Sequence, residues 1–152
     1  MSSDSDWQKH LIDDDDAIGR LIDATHRIAV LGIKIDPDKP GHFVPEYAQR
    51  AGFEIVPVPV YYPEVAEILG EPVYRTVAAV PGEIDMVNVF RRSHDVLPHV
   101  PDILAKKPKS VWMQLGISNA AAAEALARAG IDVVQDHCLM VEMRHHGKRP
   151  LA

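Results

Sequence analysis

The sequence predicts an α/β fold of three layers, a mainly parallel sheet with helices on both faces. Three observations carry this. Residues 27–32 (RIAVLG), 84–90 and 110–113 are short, almost wholly apolar runs, the pattern of strands buried on both faces. Between such runs lie segments whose apolar residues recur at helical spacing. Glycine, asparagine or proline stands at the boundaries, so the connections are short, as alternating strands and helices in one sheet require.

Residues 1–5 are small and polar and are expected to fray. Ala17, Ile18, Leu21 and Ile22 then repeat at helical spacing. The aspartates at 13–16 suit the positive end of that helix's dipole, and one of them serves as its N-cap. Residues 27–32 form the first strand. After a loop with Pro37, Pro40 and Gly41, the residues Val44, Tyr47, Ala48 and Ala51 share one helical face, and Gly52 is placed to end the helix. The second strand is 53–58. Residues 64–69 read as a short helix closed by Gly70, and 84–90 as a strand with Arg91, Arg92 and Ser93 at its exit. Pro98 and Pro101 lack amide donors, which predicts a turn followed by a helix starting near Pro101. After the strand at 110–113, Asn119 is the expected N-cap of an alanine-rich helix over 120–129, with Gly130 just past its end. A last strand covers 131–135.

A chain of 152 residues with 47% hydrophobic content predicts one domain over 1–152, including an N-terminal helix and a short basic C-terminal tail. With 16 basic against 22 acidic residues the formal charge is -6, which disfavours a nucleic-acid partner. No apolar run approaches the roughly 20 residues of a membrane helix, and the acidic N-terminus lacks a signal-peptide start, so a cytoplasmic protein with no membrane partner is expected. Cys138, the one cysteine, has no intramolecular disulfide partner. Asp136 and His137 beside it invite a nucleophile reading. Without an identifiable oxyanion site, a buried structural cysteine is preferred and no catalytic residue is assigned. His145 and His146 read as part of the solvated tail, and no metal site is assigned.

The chemistry is expected at the strand exits, where a parallel sheet and the following helix N-termini form a crevice. In VWMQLGISN, residues 111–119, an apolar strand runs into Gln114, Leu115 and Gly116 just before the alanine-rich helix. Gln114 offers both donor and acceptor, and Gly116 permits close backbone approach. At the first exit Gly32 is followed by Ile33 and Lys34, and the next glycine is Gly41, so the dinucleotide fingerprint GxGxxG is not reproduced. The second strand also ends without the acid that would hold a ribose, since Glu54 stands at its start. NAD is therefore disfavoured. Lys34, Lys39, His42, Arg91 and Arg92 form a local cationic mouth despite the acidic total. Phe90 lies near an exit and is the aromatic ligand candidate, whereas Trp112 belongs to the core.

Further blocks extend this pattern: DPDKPGHFVPEY after the first strand, the strand 55–58, EILGEPVY at 67–74, DMVNVFRRS at 85–93 and DHCLMVE at 136–142. In their order and spacing they resemble the CoA-binding-domain family of small Rossmann-like proteins, related to the CoA-binding portion of the succinyl-CoA ligase α subunit. The resemblance spans nearly the whole chain. It implies that coenzyme A, or an acyl-CoA, lies across the carboxyl edge of the sheet. Its nucleotide would sit near Gly32, Ile33 and Lys34 and the second-strand exit at Pro59 and Val60. Lys39, Pro40 and His42 would border it, with Phe90, Arg91, Arg92, Gln114, Leu115 and Gly116 as another wall. The ligase carries its phosphorylated histidine on a further domain, so ligase activity is not implied. The leading expectation is non-catalytic binding of a small-molecule CoA ligand. One alternative is a small NAD- or other nucleotide-dependent enzyme. The other is a protein-interaction module whose vestigial pocket is narrowed by Ile33 and Pro59.

Overall fold

The apolar runs do pair side by side. The computed structural model describes residues 3–151. In chain order its strands are β1 (Arg27–Leu31), β2 (Glu54–Val58), β3 (Glu67–Ile68), β4 (Glu71–Pro72), β5 (Met86–Val89), β6 (Ser110–Met113) and β7 (Asp132–Val134). The helices are α1 (Asp15–Asp23), α2 (Pro40–Arg50), α3 (Val100–Lys106), α4 (Ala120–Arg128) and α5 (Leu139–His145). Five strands form one sheet in the order β2-β1-β5-β6-β7, every pairing parallel, and β3 and β4 form a separate antiparallel pair. The strand order reverses between β1 and β5, so a crevice opens beyond their carboxyl ends.

Alternate residues of each strand feed opposite faces. Val87, Val89, Val111, Met113 and Val133 pack with Val100 and Ile103 of α3 and Ala122, Ala123 and Leu126 of α4. Ile28, Val30, Met86, Trp112 and Val134 pack with Ile18 and Ile22 of α1, Val44 and Ala48 of α2, and Leu139 and Met143 of α5. Trp112 is fully buried, and its indole N–H donates to the His137 carbonyl at 2.8 Å. Full burial of each such side chain stabilises the fold by about 1.5–3 kcal/mol.

The expected caps form. The Asp14 carboxylate accepts from the Ala17 amide at 3.1 Å, and Asn119 Oδ1 accepts from the Ala122 amide at 2.9 Å. In α2, Pro45 has no N–H to offer the Gly41 carbonyl one turn earlier. That carbonyl accepts from the Lys34 amide at 3.0 Å instead, which pins the β1–α2 connection to the helix.

Two segments depart from expectation. Residues 64–69 are not helical; they enter a hairpin whose turn, Leu69 and Gly70, has φ of +55° and +76°. Positive φ at both turn residues suits a two-residue hairpin loop and excludes a helix there. The carbonyls of Tyr62, Pro63 and Val65 also accept from the Arg75 guanidinium, occupying acceptors a helix would use. At the other end, His145 and His146 do not lie in a solvated tail: His145 ends α5, which folds back against α1 and α2, and the half-buried His146 ring packs at Gly19. Of the segment expected to fray, Met1 and Ser2 lie outside the described residues, whereas a 3-10 helix runs over Ser3–His10. Among the described residues no helix is long and apolar enough to cross a membrane.

Candidate functional site

A cleft of about 700 Å³ opens beyond the carboxyl ends of β1, β5 and β6. Its size falls within the range of small-molecule sites, roughly 300–1,000 Å³. One wall is the β1–α2 connection with Lys34, Asp36, Lys39, Pro40 and Gly41. Facing it are Phe90, Arg91, Arg92 and Ser93 after β5, residues 114–117 after β6, and Tyr62.

The first wall is a closed turn. Asp36 Oδ1 accepts from the Asp38 amide at 2.9 Å, and the Lys39 amide donates to the Asp36 carbonyl. Gly41 lets the Lys34 side chain lie against α2, because a Cβ there would stand 2.7 Å from Lys34 Cγ. With Pro40 at the first helical position, Gly41 stands in the first turn at the positive end of α2, where this helix end borders the cleft.

Arg91 is the most constrained cation. Its Nε donates to His99 Nε2 at 3.2 Å, its Nη1 reaches the Tyr61 hydroxyl at 3.4 Å, and its Nη2 lies 3.9 Å from Asp95. As an acceptor on Nε2, His99 is neutral. Burial, and then the adjacent guanidinium, hold its pKa below the usual imidazole value. Arg92 is anchored on the Asp95 carboxylate at 3.0 Å, which pulls that group below the ordinary carboxylate range. Lys34 Nζ sits 4.5 Å from the centroid of the Tyr61 ring. The hydrogen bond from Arg91, with its charge, lowers the Tyr61 pKa. Four cations therefore border the cleft against the carboxylates of Asp36 and Asp95, a local reversal of the chain's acidic balance.

The structure sorts the residues expected at the site. Lys34, Lys39, Pro40, Phe90, Arg91, Arg92, Gln114, Leu115 and Gly116 line the cleft. Gly32, Ile33, His42, Pro59 and Val60 do not. Gly32, at φ +86°, is needed because a Cβ would run into the Phe90 carbonyl, so this glycine serves strand packing. The Ile33 side chain turns into the core, 1% exposed. His42 Nδ1 lies 2.8 Å from the Lys34 carbonyl and braces the loop. Pro59 is buried, and Val60 is exposed outside the cleft. The narrowing expected from Ile33 and Pro59 is therefore absent from the cleft lining.

Two of the expected contacts also have structural duties. Gln114 Oε1 accepts from the Leu139 amide at 3.2 Å, holding the start of α5, and the Gly116 amide donates to Asp136 at 2.7 Å. Sequence reasoning missed Tyr61, Tyr62, Arg75 and the role of Ser93. Arg75 clamps the carbonyls of Tyr61, Tyr62, Pro63 and Val65, and Tyr62 is held at a φ of +62°. A bulky residue there is uncommon and needs such over-determination. Ser93 Oγ accepts from the Ser118 amide at 3.1 Å, and its carbonyl accepts from Asn119 Nδ2 at 2.9 Å. Cys138 is half-buried at the start of α5 rather than fully buried.

The family model described as a CoA binding domain matches residues 26–144. An uncharacterized protein of Bacillus subtilis (strain 168), YneT, is 35% identical over 124 residues, covering 82% of this chain and 90% of its own length. A solved structure from Thermus thermophilus, cell-free ID.343, has a TM-score of 0.81 at 34% identity, covering 88% of this chain and 99% of that one. The apo form of dinucleotide-forming acetyl-coenzyme A synthetase 1 from Ca. Korarchaeum cryptofilum has a TM-score of 0.58 at 25% identity. That match covers 70% of this chain and 25% of the synthetase.

Proposed function

This chain belongs to the CoA-binding domain family, and from that premise we propose that it binds coenzyme A or an acyl-CoA in the cleft beyond β1, β5 and β6, without covalent chemistry. The observation that carries the reading is the composition of the cleft. Lys34, Lys39, Arg91 and Arg92 stand beside Phe90, Leu115 and Ile117 at the point where the strand order reverses. Cations and the positive end of α2 suit phosphates, and the apolar side chains suit an adenine face or a pantetheine chain. The similarity to part of an acetyl-coenzyme A synthetase supports the same ligand class.

Other features favour binding over catalysis and CoA over NAD. The Ser93 hydroxyl donates to the Gly116 carbonyl and accepts from the Ser118 amide, so it is committed to joining two strand exits. Glu54, the acid nearest a ribose-binding role in sequence, pairs with Arg27 at 2.6 Å at the amino edge of the sheet, away from the cleft. The reading carries with it one binding domain across 1–152 and a cytoplasmic setting.

Calorimetric titration with CoA, acetyl-CoA, NAD and ATP tests the proposal. CoA or acetyl-CoA is expected to saturate the site and NAD to bind more weakly. Absence of CoA saturation at about 1 mM, a free energy of only about 4 kcal/mol, would overturn it. Arg91→Ala is expected to weaken CoA binding by about tenfold or more, the size of a lost charge-assisted hydrogen bond. Unchanged affinity would remove Arg91 from the site.

A further inference from the structure

Helix α1 begins at Asp15 and α5 ends at His145, and packing brings these ends together. His145 Nε2 lies 3.0 Å and His146 Nε2 3.3 Å from the same Asp15 oxygen, Oδ1. The three ligand atoms all fall within 4.8 Å of one another. Ligand bonds of about 2.0–2.2 Å around a tetrahedral ion set neighbouring donors roughly 3.3 Å apart, close to the two distances to Asp15. Glu142 adds a second carboxylate, 4.0 Å from His146 Nε2.

Two independent features point the same way. His146 Nε2 is buried and, among the described residues, has no hydrogen-bond partner, so its proximity to Asp15 is not a satisfied hydrogen bond. Such an orphaned ring nitrogen calls for an explanation. Beside it, α1 carries Gly19 in its interior, where glycine weakens a helix. A Cβ at Gly19 would stand 2.7 Å from both Cε1 and Nδ1 of the His146 imidazole. The glycine therefore makes room for this ring in this orientation.

We propose that Asp15, His145 and His146 form a binding site for a divalent transition-metal ion that ties the start of α1 to the end of α5. Two imidazoles and a carboxylate favour zinc, cobalt, nickel or copper over magnesium or calcium, which prefer all-oxygen donors. Asp15 and His145 are exposed, so the ion has a path from solvent and water can complete its coordination. The site lies at the far end of α5 from Gln114 and needs nothing from the CoA cleft.

The test uses the full chain without a histidine tag, stripped with chelator and titrated with Zn²⁺ by calorimetry and with Co²⁺ by visible absorption, in the absence of CoA. One ion per chain and a cobalt spectrum of nitrogen and oxygen ligation are expected. Exposed His145→Ala should weaken binding by more than about tenfold, at least the loss seen when a supporting residue of a metal site is removed. Gly19→Ala should do likewise by displacing the His146 ring, with circular dichroism confirming that both variants fold. No saturable binding of Zn²⁺ or Co²⁺ up to about 1 mM would overturn the proposal, as would equal affinity in wild type, His145→Ala and Asp15→Asn.

Discussion

Arg91 shows how one side chain at the cleft is held in place before the ligand binding proposed for it. A long guanidinium loses rotamer freedom when it binds an anion, and here His99, Tyr61 and Asp95 restrict it beforehand. The His99 contact has a pH consequence. Its folded pKa lies below the unfolded value of about 6.5, so the unfolded chain binds the proton first. The stability His99 contributes is therefore present above about pH 6.5 and lost as the pH falls through the folded value. Protonation also removes the acceptor for Arg91 Nε. CoA affinity is expected to fall on acidification more steeply in wild type than in His99→Gln, which keeps an acceptor that does not titrate. Parallel calorimetric pH profiles for the two proteins would exclude His99 as the origin.

At the scale of elements, glycine and asparagine join strand exits to each other. Gly32 and Gly116 both have positive φ, +86° and +84°, yet they differ in what surrounds them. A Cβ on Gly32 meets the Phe90 backbone, whereas one on Gly116 meets nothing within 4 Å. Gly32→Ala is expected to destabilise the fold by about 2 kcal/mol or more, and Gly116→Ala by about 1 kcal/mol from backbone strain alone, measured by urea denaturation. Equal losses would mean that the Phe90 contact is not decisive. Asn119 joins two elements, capping α4 through Oδ1 and holding the Ser93 carbonyl through Nδ2. Asn119→Ala should cost about 1–2 kcal/mol in the same measurement, more than a helix cap that serves only its own helix.

Across the whole molecule the two edges of the sheet are built differently. At the amino edge Arg27 pairs with Glu54 and donates to the Pro81 and Glu83 carbonyls, while the Asp85 carboxylate accepts from the His26 and Arg27 amides and pairs with Lys109. The carboxyl edge instead borders an open cleft with Lys34, Lys39, Arg91 and Arg92. Burial works to raise the Asp85 pKa, but the donors from Arg27, His26 and Lys109 outweigh it and hold the group below its ordinary value. Its contribution is thus present above about pH 3.9 and lost as the pH falls through the lower folded value. Acid unfolding followed by circular dichroism should show a limb below about pH 4 that is shallower in Asp85→Asn; identical limbs would exclude Asp85 as its source.

The five parallel strands and helices α1 to α4 were legible in the sequence because each signal is local. An apolar run ending in glycine, a 3.6-residue stripe and an Asp or Asn cap state what a segment does wherever it packs. Most of the cationic mouth was legible too, since Lys34, Arg91 and Arg92 closely follow strand ends and Lys39 precedes α2, whereas His42 turned out to brace the loop. The turn at Leu69 and Gly70 was not, because helical spacing there yields to Arg75, which gathers carbonyls from residues 61–65. The same contact fixes the Tyr61–Tyr62 segment, of which Tyr62 lines the cleft. Ile33 and His42 adjoin the site in sequence, but their side chains serve the core and the loop.

By itself the sequence determined the α/β class and, through its resemblance, the CoA-binding family, and it pointed to the strand exits as the edge where the cleft lies. Only the tertiary structure decided which exit residues face the cleft, that Arg75 and His99 support it, and that Asp15 meets His145 and His146 from opposite ends of the chain. The division has one physical cause. Periodicity and capping are interactions among near neighbours and are written in spacing, whereas side-chain direction and long-range pairing depend on how whole elements dock.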